Sequence, residues 1–175
     1  LVGDFDTLPE KTLEHFRRQG IPIRAFQPEK DVTDMEIALS AAARRQKAMG
    51  DGQGRGTAVI LGGTGSRMDH VLGTIYAAAG IAETLDCEIV DRHNRIRVLL
   101  PGEYAIAREE EWGKYISFLP IGGEAAGVTL EGFRYPLREY QLTPNNSLGV
   151  SNELTADVGR LFFRTGRLAF IRSRD

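Results

Sequence analysis

Two hydrophobic periods alternate along the first half of the chain. The opening LVGDFD is an apolar run ending in two carboxylates. In the TLPEKTLEHFRRQG that follows, Leu13 and Phe16 share a helical face, Thr7 and Glu10 have capping-box spacing, and Gly20 stands at the stop. After the short strand IPIRAF the arrangement recurs in TDMEIALSAAARRQKAMG. There Thr33 and Glu36 form the box, Ile37, Ala38, Ala41 and Ala42 the face, and Gly50 the stop. DGQGRG is a connector; TAVILGG reads as a buried strand, SRMDHVLGTIYAAAGIAETL as a helix and CEIVD as a strand. Strand and helix in alternation predict a parallel sheet flanked by helices.

The texture changes at residues 91–94. RIRVLL, EYAIA, KYISFLPI, GVTLEGFRYPL and GRLFFRTGRLAFIRSR are short β segments separated by Gly, Pro and Asn turns, the pattern of an antiparallel sandwich or barrel. In the last segment Thr165 and Gly166 are placed to turn a hairpin. The reading is therefore an α/β half, 1–92, and an all-β half, 93–175.

Composition narrows the function classes. With 175 residues and 42% hydrophobic content, the chain can bury a core for one domain or two small ones. A formal charge of -2 and a pI near 6.0 give no general attraction for nucleic acid or an anionic membrane. The single Cys87 excludes an intrachain disulfide framework and fits a reducing compartment. The chain carries no signal-peptide pattern and no apolar run near the roughly 18 residues a membrane helix needs. A soluble, cytoplasmic protein is the expectation.

The candidate chemistry sits at strand-to-helix junctions. Asp4 and Asp6 are two apart, so a strand continued through them would project both carboxylates to one face, at the strand end where open α/β folds place ligands. Such a pair repels itself unless a cation such as Mg²⁺ holds it. Read structurally, the same residues end a strand and start a turn. At the next junction PEKDVTD brings Asp31, Thr33 and Asp34, with Lys30 a natural phosphate partner. Here too a structural role is open, because Thr caps helices and Asp in a first turn is favoured by the helix dipole by about 0.3–1 kcal/mol.

LGGTGSRMDH is a glycine-rich turn between strand and helix, and Asp91 ends a later strand as the acidic residue of a dinucleotide fold would. The dinucleotide spacing fails because Met68 occupies the third glycine position, and the Gly-Lys-Ser/Thr ending of a P-loop is missing. What remains is a backbone at Gly63, Thr64 and Gly65 that phosphate can approach, and a helix start whose amides favour anions. Arg67 can clamp phosphate, and Asp69 can bind a cation or accept a proton. His70 reads as an ordinary helix residue and Trp112 as packing. In the β half, NNSLGVSNEL places Ser147, Ser151 and Asn152 in a polar loop.

GDFDT, KDVTD within FQPEKDVTDMEIAL, GGTGSRMDH and SLGVSNE occur in an order and spacing that resemble the bacterial type of thiamine pyrophosphokinase. YISFLPIGG, GVTLEGFRYPL and the closing SRD extend the resemblance over nearly the whole chain. The resemblance implies an α/β, parallel-sheet nucleotide-binding domain followed by an all-β sandwich domain. It also implies a cytoplasmic homodimer, with thiamine where the subunits meet, that transfers the β,γ-diphosphate of ATP to thiamine. On this basis Asp4, Asp6 and Asp34 would bind Mg²⁺. Lys30, Asp31, Thr33, Gly63, Thr64 and Gly65 would lie by the ATP phosphates, with Arg67 and Asp69 by the reacting groups. Ser151 and Asn152 would belong to the thiamine pocket. Two departures stand out: Thr7 replaces the usual serine, and an upstream strand-helix section with an Asp-Gly-Gly turn is missing, so that an N-terminally truncated first domain is expected. The alternatives are a pyrophosphokinase acting on another alcohol, such as a hydroxymethylpterin, and a non-catalytic module that binds thiamine or its diphosphate.

Overall fold

The computed structural model describes residues 1–3, 5, 8–26, 32–50, 54–110 and 112–175. The first half runs β1 (Val2–Gly3), α1 (Glu10–Arg18), β2 (Arg24–Ala25), α2 (Asp34–Ala48), β3 (Gly56–Leu61), α3 (Met68–Ile81) and β4 (Leu85–Val90). The second half runs β5 (Asn94–Leu99), β6 (Gly102–Ala107), β7 (Tyr115–Pro120), β8 (Ala125–Glu131), β9 (Leu137–Leu142), β10 (Val158–Phe163) and β11 (Leu168–Ser173). No described helix is long and apolar enough to cross a membrane.

Local chemistry sets the helix ends. The Thr33 hydroxyl accepts from the Glu36 amide at 3.2 Å, the cap that the TDME pattern predicts. Gly20 and Gly50 follow α1 and α2 with φ of 70° and 85°, left-handed positions that stop a helix at no Cβ cost. Helix α1 enters through Pro9 without a side-chain cap, and Thr7, the expected partner of Glu10, lies outside the described residues. The buried stripe of α2 is centred on Leu39 and Ala43, leaving Ile37, Ala38, Ala41 and Ala42 half-buried on its flanks.

Strands β1 and β2 pair in parallel, as do β3 and β4. The second pair opens a five-stranded mixed sheet, β3-β4-β5-β11-β7, antiparallel from β4 onward. A four-stranded antiparallel sheet, β6-β10-β8-β9, completes the sandwich. One core lies between α2, α3 and β3-β4-β5 and includes Leu39, Ile60, Ile75, Ile89, Ile96 and Val98. The other lies between the two sheets and includes Leu99, Phe118, Leu130, Phe163 and Phe170. Strand β5 thus lends alternate residues to both cores, and the sheet is continuous across the β4–β5 turn. On the face of that sheet away from α3, Asp86 pairs with Arg97, and Glu88 pairs with Arg172 at 3.1 Å and Arg95 at 4.0 Å, stitching β4, β5 and β11 together.

Two expectations are corrected. Strands β10 and β11 do not form a hairpin: β10 pairs with β6 and β8, β11 with β5 and β7, so residues 164–167 cross from one sheet to the other. The crossing is sewn to its neighbours rather than to itself, with Arg164 N donating to Ala126 O at 2.9 Å and Ile121 N to Arg167 O at 3.0 Å. Gly166, at φ 90°, is required because a Cβ there would lie 2.2 Å from Glu124 O. The GVTLEGFRYPL segment, read as one strand, ends β8 at Glu131 and turns through Gly132 before β9 begins at Leu137.

Candidate active site

The site starts at the end of β1. Gly3 pairs with Ala25 of β2, and a Cβ on Gly3 would stand 2.7 Å from Asp34 Oδ2 and 3.3 Å from its Cγ. The missing side chain is therefore the seat of the Asp34 carboxylate. Thr33 caps α2 immediately before it, so the first turn of the helix aims Asp34 at the strand end. Because the Thr33 oxygen accepts from Glu36 N, its own hydroxyl hydrogen remains available to an anion. Phe5, beside Gly3, has φ 59°, a left-handed backbone. Asp4, Asp6, Lys30 and Asp31 themselves lie outside the described residues. Among the described residues no group of three or more His, Cys, Asp or Glu is gathered. Of the expected metal carboxylates only Asp34 is described, and a half-buried carboxylate lodged in a glycine cradle fits a hard cation.

The second element is the loop between β3 and α3. Gly62 turns it at φ 72°, and Gly63 lets it lie on the core, where an added Cβ would meet Ile60 at 3.0 Å and Ile89 at 3.3 Å. Gly65 faces open space. The Thr64 hydroxyl donates to Asp91 Oδ2 at the end of β4. The other oxygen of that carboxylate accepts from the His93 and Asn94 amides, each at 2.6 Å, and from Asn94 Nδ2 at 3.2 Å. Burial pushes the Asp91 carboxyl up, but the hydrogen bonds from Thr64, His93 and Asn94 outweigh it and hold the group below the ordinary range.

At the start of α3, Arg67 donates to Asp69 through Nε at 3.2 Å and through Nη2, a two-pronged pair open to solvent. The hydrogen bond from Arg67 brings the Asp69 carboxyl down to about 2. Such a carboxylate stays ionised at neutral pH, its charge offset by the Arg67 guanidinium. Cys87 is a different case: burial pushes its thiol up to about 11, so it packs rather than reacts.

A second group belongs to the sandwich. Ser151 adopts φ 56° and donates its amide to Ser117 Oγ at 3.0 Å. Asn152, 3% exposed, uses its side chain as a clamp. Its Oδ1 accepts from Tyr135 N at 2.9 Å and Glu153 N at 3.0 Å, while Nδ2 donates to Tyr135 O at 2.8 Å. Asn152 also bridges to Ile116 of β7 through backbone hydrogen bonds in both directions, each 2.8 Å. The result is to present Tyr135, a residue 54% exposed with its ring beside the Arg134 guanidinium. Tyr135 escapes a sequence reading because FRYPL looks like ordinary strand; only the clamp from position 152 singles it out. Trp112 lies between Arg174, 4.4 Å from its ring centre, and Arg95 at 5.5 Å, a packing role.

Both halves match known proteins. The family described as "Thiamin pyrophosphokinase, catalytic domain" matches residues 1–90, and "Thiamin pyrophosphokinase, vitamin B1 binding domain" matches 103–168. The chain is 35% identical over 174 residues to the thiamine pyrophosphokinase of Bacillus subtilis (strain 168), covering 99% of this chain and 77% of that protein. The crystal structure of the Bacillus subtilis enzyme superposes with a TM-score of 0.82 over 99% of this chain and 77% of that one. That of Geobacillus thermodenitrificans thiamin pyrophosphokinase, 34% identical, gives 0.79 over 99% and 76%. With a catalytic and a vitamin B1 binding half matched in one chain, and a relative 35% identical along 99% of it, the chain belongs to the thiamine pyrophosphokinase family.

Proposed function

We propose that this chain transfers the β,γ-diphosphate of ATP to the hydroxyethyl oxygen of thiamine, giving thiamine diphosphate and AMP. The observation that carries the reading is the match of both a catalytic and a vitamin B1 binding half within one chain, along 99% of its length, to a curated member of the family.

Transfer of this kind depends mainly on positioning and on neutralising charge. Asp4, Asp6 and Asp34 would hold Mg²⁺, which when bound supplies positive charge to the ATP phosphates. Asp34 is the member whose seat is described, in the Gly3 cradle. Lys30, Asp31 and Thr33 would lie by the phosphates, Thr33 offering its free hydroxyl hydrogen. The amides around Gly63 and Gly65 would meet phosphate oxygens at the start of α3. Arg67 would reach the transferring group and Asp69 would face thiamine. Asp69 would pair with the thiazolium cation, which would also offset the carboxylates at the strand ends. Ser151 and Asn152 would form the thiamine pocket through the loop they order, with Tyr135 as its flat wall. The reading extends to a parallel-sheet nucleotide-binding part within 1–92 and a thiamine-binding part in 93–175. It also includes a cytoplasmic homodimer with thiamine at the subunit interface.

Incubation with ATP, Mg²⁺ and thiamine tests it. AMP release that needs both thiamine and the metal is the expected result. AMP release with a hydroxymethylpterin instead of thiamine would move the reading to another pyrophosphokinase. Thiamine binding by calorimetry without AMP release would reduce it to a binding module.

A further inference from the structure

The glycine-rich loop has to be flexible enough to take the path shown and ordered enough to receive a phosphate. Residues 62–67 include three glycines, and glycine loses more conformational freedom on ordering than any other residue. A Cβ on Gly63 would meet Ile60 and Ile89, whereas one on Gly65 would meet open space. Among the described residues the side-chain hydrogen bond that ties residues 62–66 to the rest of the fold is the one from Thr64 to Asp91.

Asp91 is itself held by several hydrogen bonds. One carboxylate oxygen is taken by the His93 and Asn94 amides, and its own backbone N–H donates to Asn94 O at 2.9 Å. These contacts close the turn from which β5 departs, and β5 contributes to both cores. The loop is thereby tied to a strand that is built into both cores.

Resting on the thiamine pyrophosphokinase reading, we propose that Thr64 and Asp91 act as one positioning unit: Thr64 shapes the phosphate loop by donating its hydroxyl hydrogen to Asp91, and phosphate is received by the loop amides instead of the Thr64 side chain. A threonine hydroxyl has one hydrogen to give, and here Asp91 takes it. A phosphate placed against the same hydroxyl would also confront the Asp91 carboxylate. The backbone at Gly65 has open space in front of it, so an anion can approach there.

The test uses the whole chain and the variants T64V, T64S and D91N, with two readouts. One is hydrogen exchange across residues 62–67 without nucleotide; the other is the dissociation constant for ATP by calorimetry, with thermal denaturation as a check on folding. T64V should raise exchange in the loop and weaken ATP binding by about tenfold or more, the factor for losing a hydrogen bond to a charged group. T64S, which keeps the hydroxyl, should show smaller changes in both. The T64V and D91N effects on ATP binding should not multiply: the double variant should lie within about twofold of the weaker single one. Weaker ATP binding with unchanged loop exchange in T64V would mean that Thr64 contacts the nucleotide directly, and would overturn the proposal. So would faster exchange with unchanged ATP affinity, or multiplying losses in the double variant. If D91N fails to fold, the T64V and T64S comparison decides alone. Failure of the wild-type chain to form AMP from ATP and thiamine would count against the functional reading instead, because loop exchange in T64V is read without substrate.

Discussion

The substitution Gly3→Ala separates function from stability at the heart of the site. An alanine Cβ would stand 2.7 Å from Asp34 Oδ2, about 0.7 Å inside ordinary contact, with Asp34 Cγ at 3.3 Å and Phe5 Cε1 at 3.5 Å. The closest atom is the tip of an acidic side chain, so the carboxylate yields before the backbone does. The fold should survive: the φ of 156° at Gly3 adds strain of about 1 kcal/mol, or about 2–4 °C in Tm for a chain of this size. Catalysis should not survive as well, since a displacement approaching 1 Å in a positioning group costs up to about a hundredfold in rate. The expected result is a tenfold to hundredfold fall in kcat/KM for ATP, with a higher Mg²⁺ concentration at half-maximal rate. Initial rates of AMP release over a Mg²⁺ titration measure both, and thermal denaturation followed by circular dichroism measures the fold. A folded Gly3→Ala protein with wild-type kcat/KM and wild-type Mg²⁺ dependence would refute the idea that the glycine exists to seat Asp34.

Three further outcomes follow from the same geometry. Asp34→Asn and Asp6→Asn should each reduce Mg²⁺-dependent turnover while leaving Tm near wild type; undiminished rates in both would remove the metal assignment. Asn152→Ala strands the buried Tyr135 amide and carbonyl and should cost about 3 kcal/mol, or about 6–12 °C in Tm, and raise the KM for thiamine more than that for ATP; an unchanged Tm would contradict the clamp. Asp69, lowered to about 2 in the fold, is stabilised by Arg67 above the ordinary carboxylate value of about 3.9, and that contribution is lost as pH falls from about 4 towards 2. Carbon-detected NMR should place the Asp69 midpoint near 2 and move it up towards 3.9 in Arg67→Met, whereas a wild-type midpoint already near 3.9 would dismiss the pair.

Features with a local cause are readable from sequence. The Thr33 cap, the stops at Gly20 and Gly50, and the strand-glycine-helix passage from β3 to α3 each depend on a few adjacent residues. Features that depend on partner choice are not. The turn at Thr165 and Gly166 carries the same residue types whether it closes a hairpin or crosses between sheets, and what decides is the pairing of β10 with β6 and β8 and of β11 with β5 and β7. The site divides in the same way. Asp34, Arg67 and Asp69 are recognisable because each lies in a short strand-to-helix junction, where a carboxylate in the first turn is favoured by the helix dipole. The tie from Thr64 to Asp91 spans 27 residues, and Asn152 reaches back 17 to Tyr135, so neither leaves a pattern in any short window.

The central claim is that a diphosphate group moves as a unit from ATP to thiamine, and labelling tests it most directly. With ATP carrying distinguishable β- and γ-phosphorus labels, and with thiamine and Mg²⁺ present, the account predicts one AMP for each thiamine diphosphate formed, both labels in that product, and no ADP. Formation of ADP with thiamine monophosphate, or recovery of both labels in unreacted ATP, would contradict it.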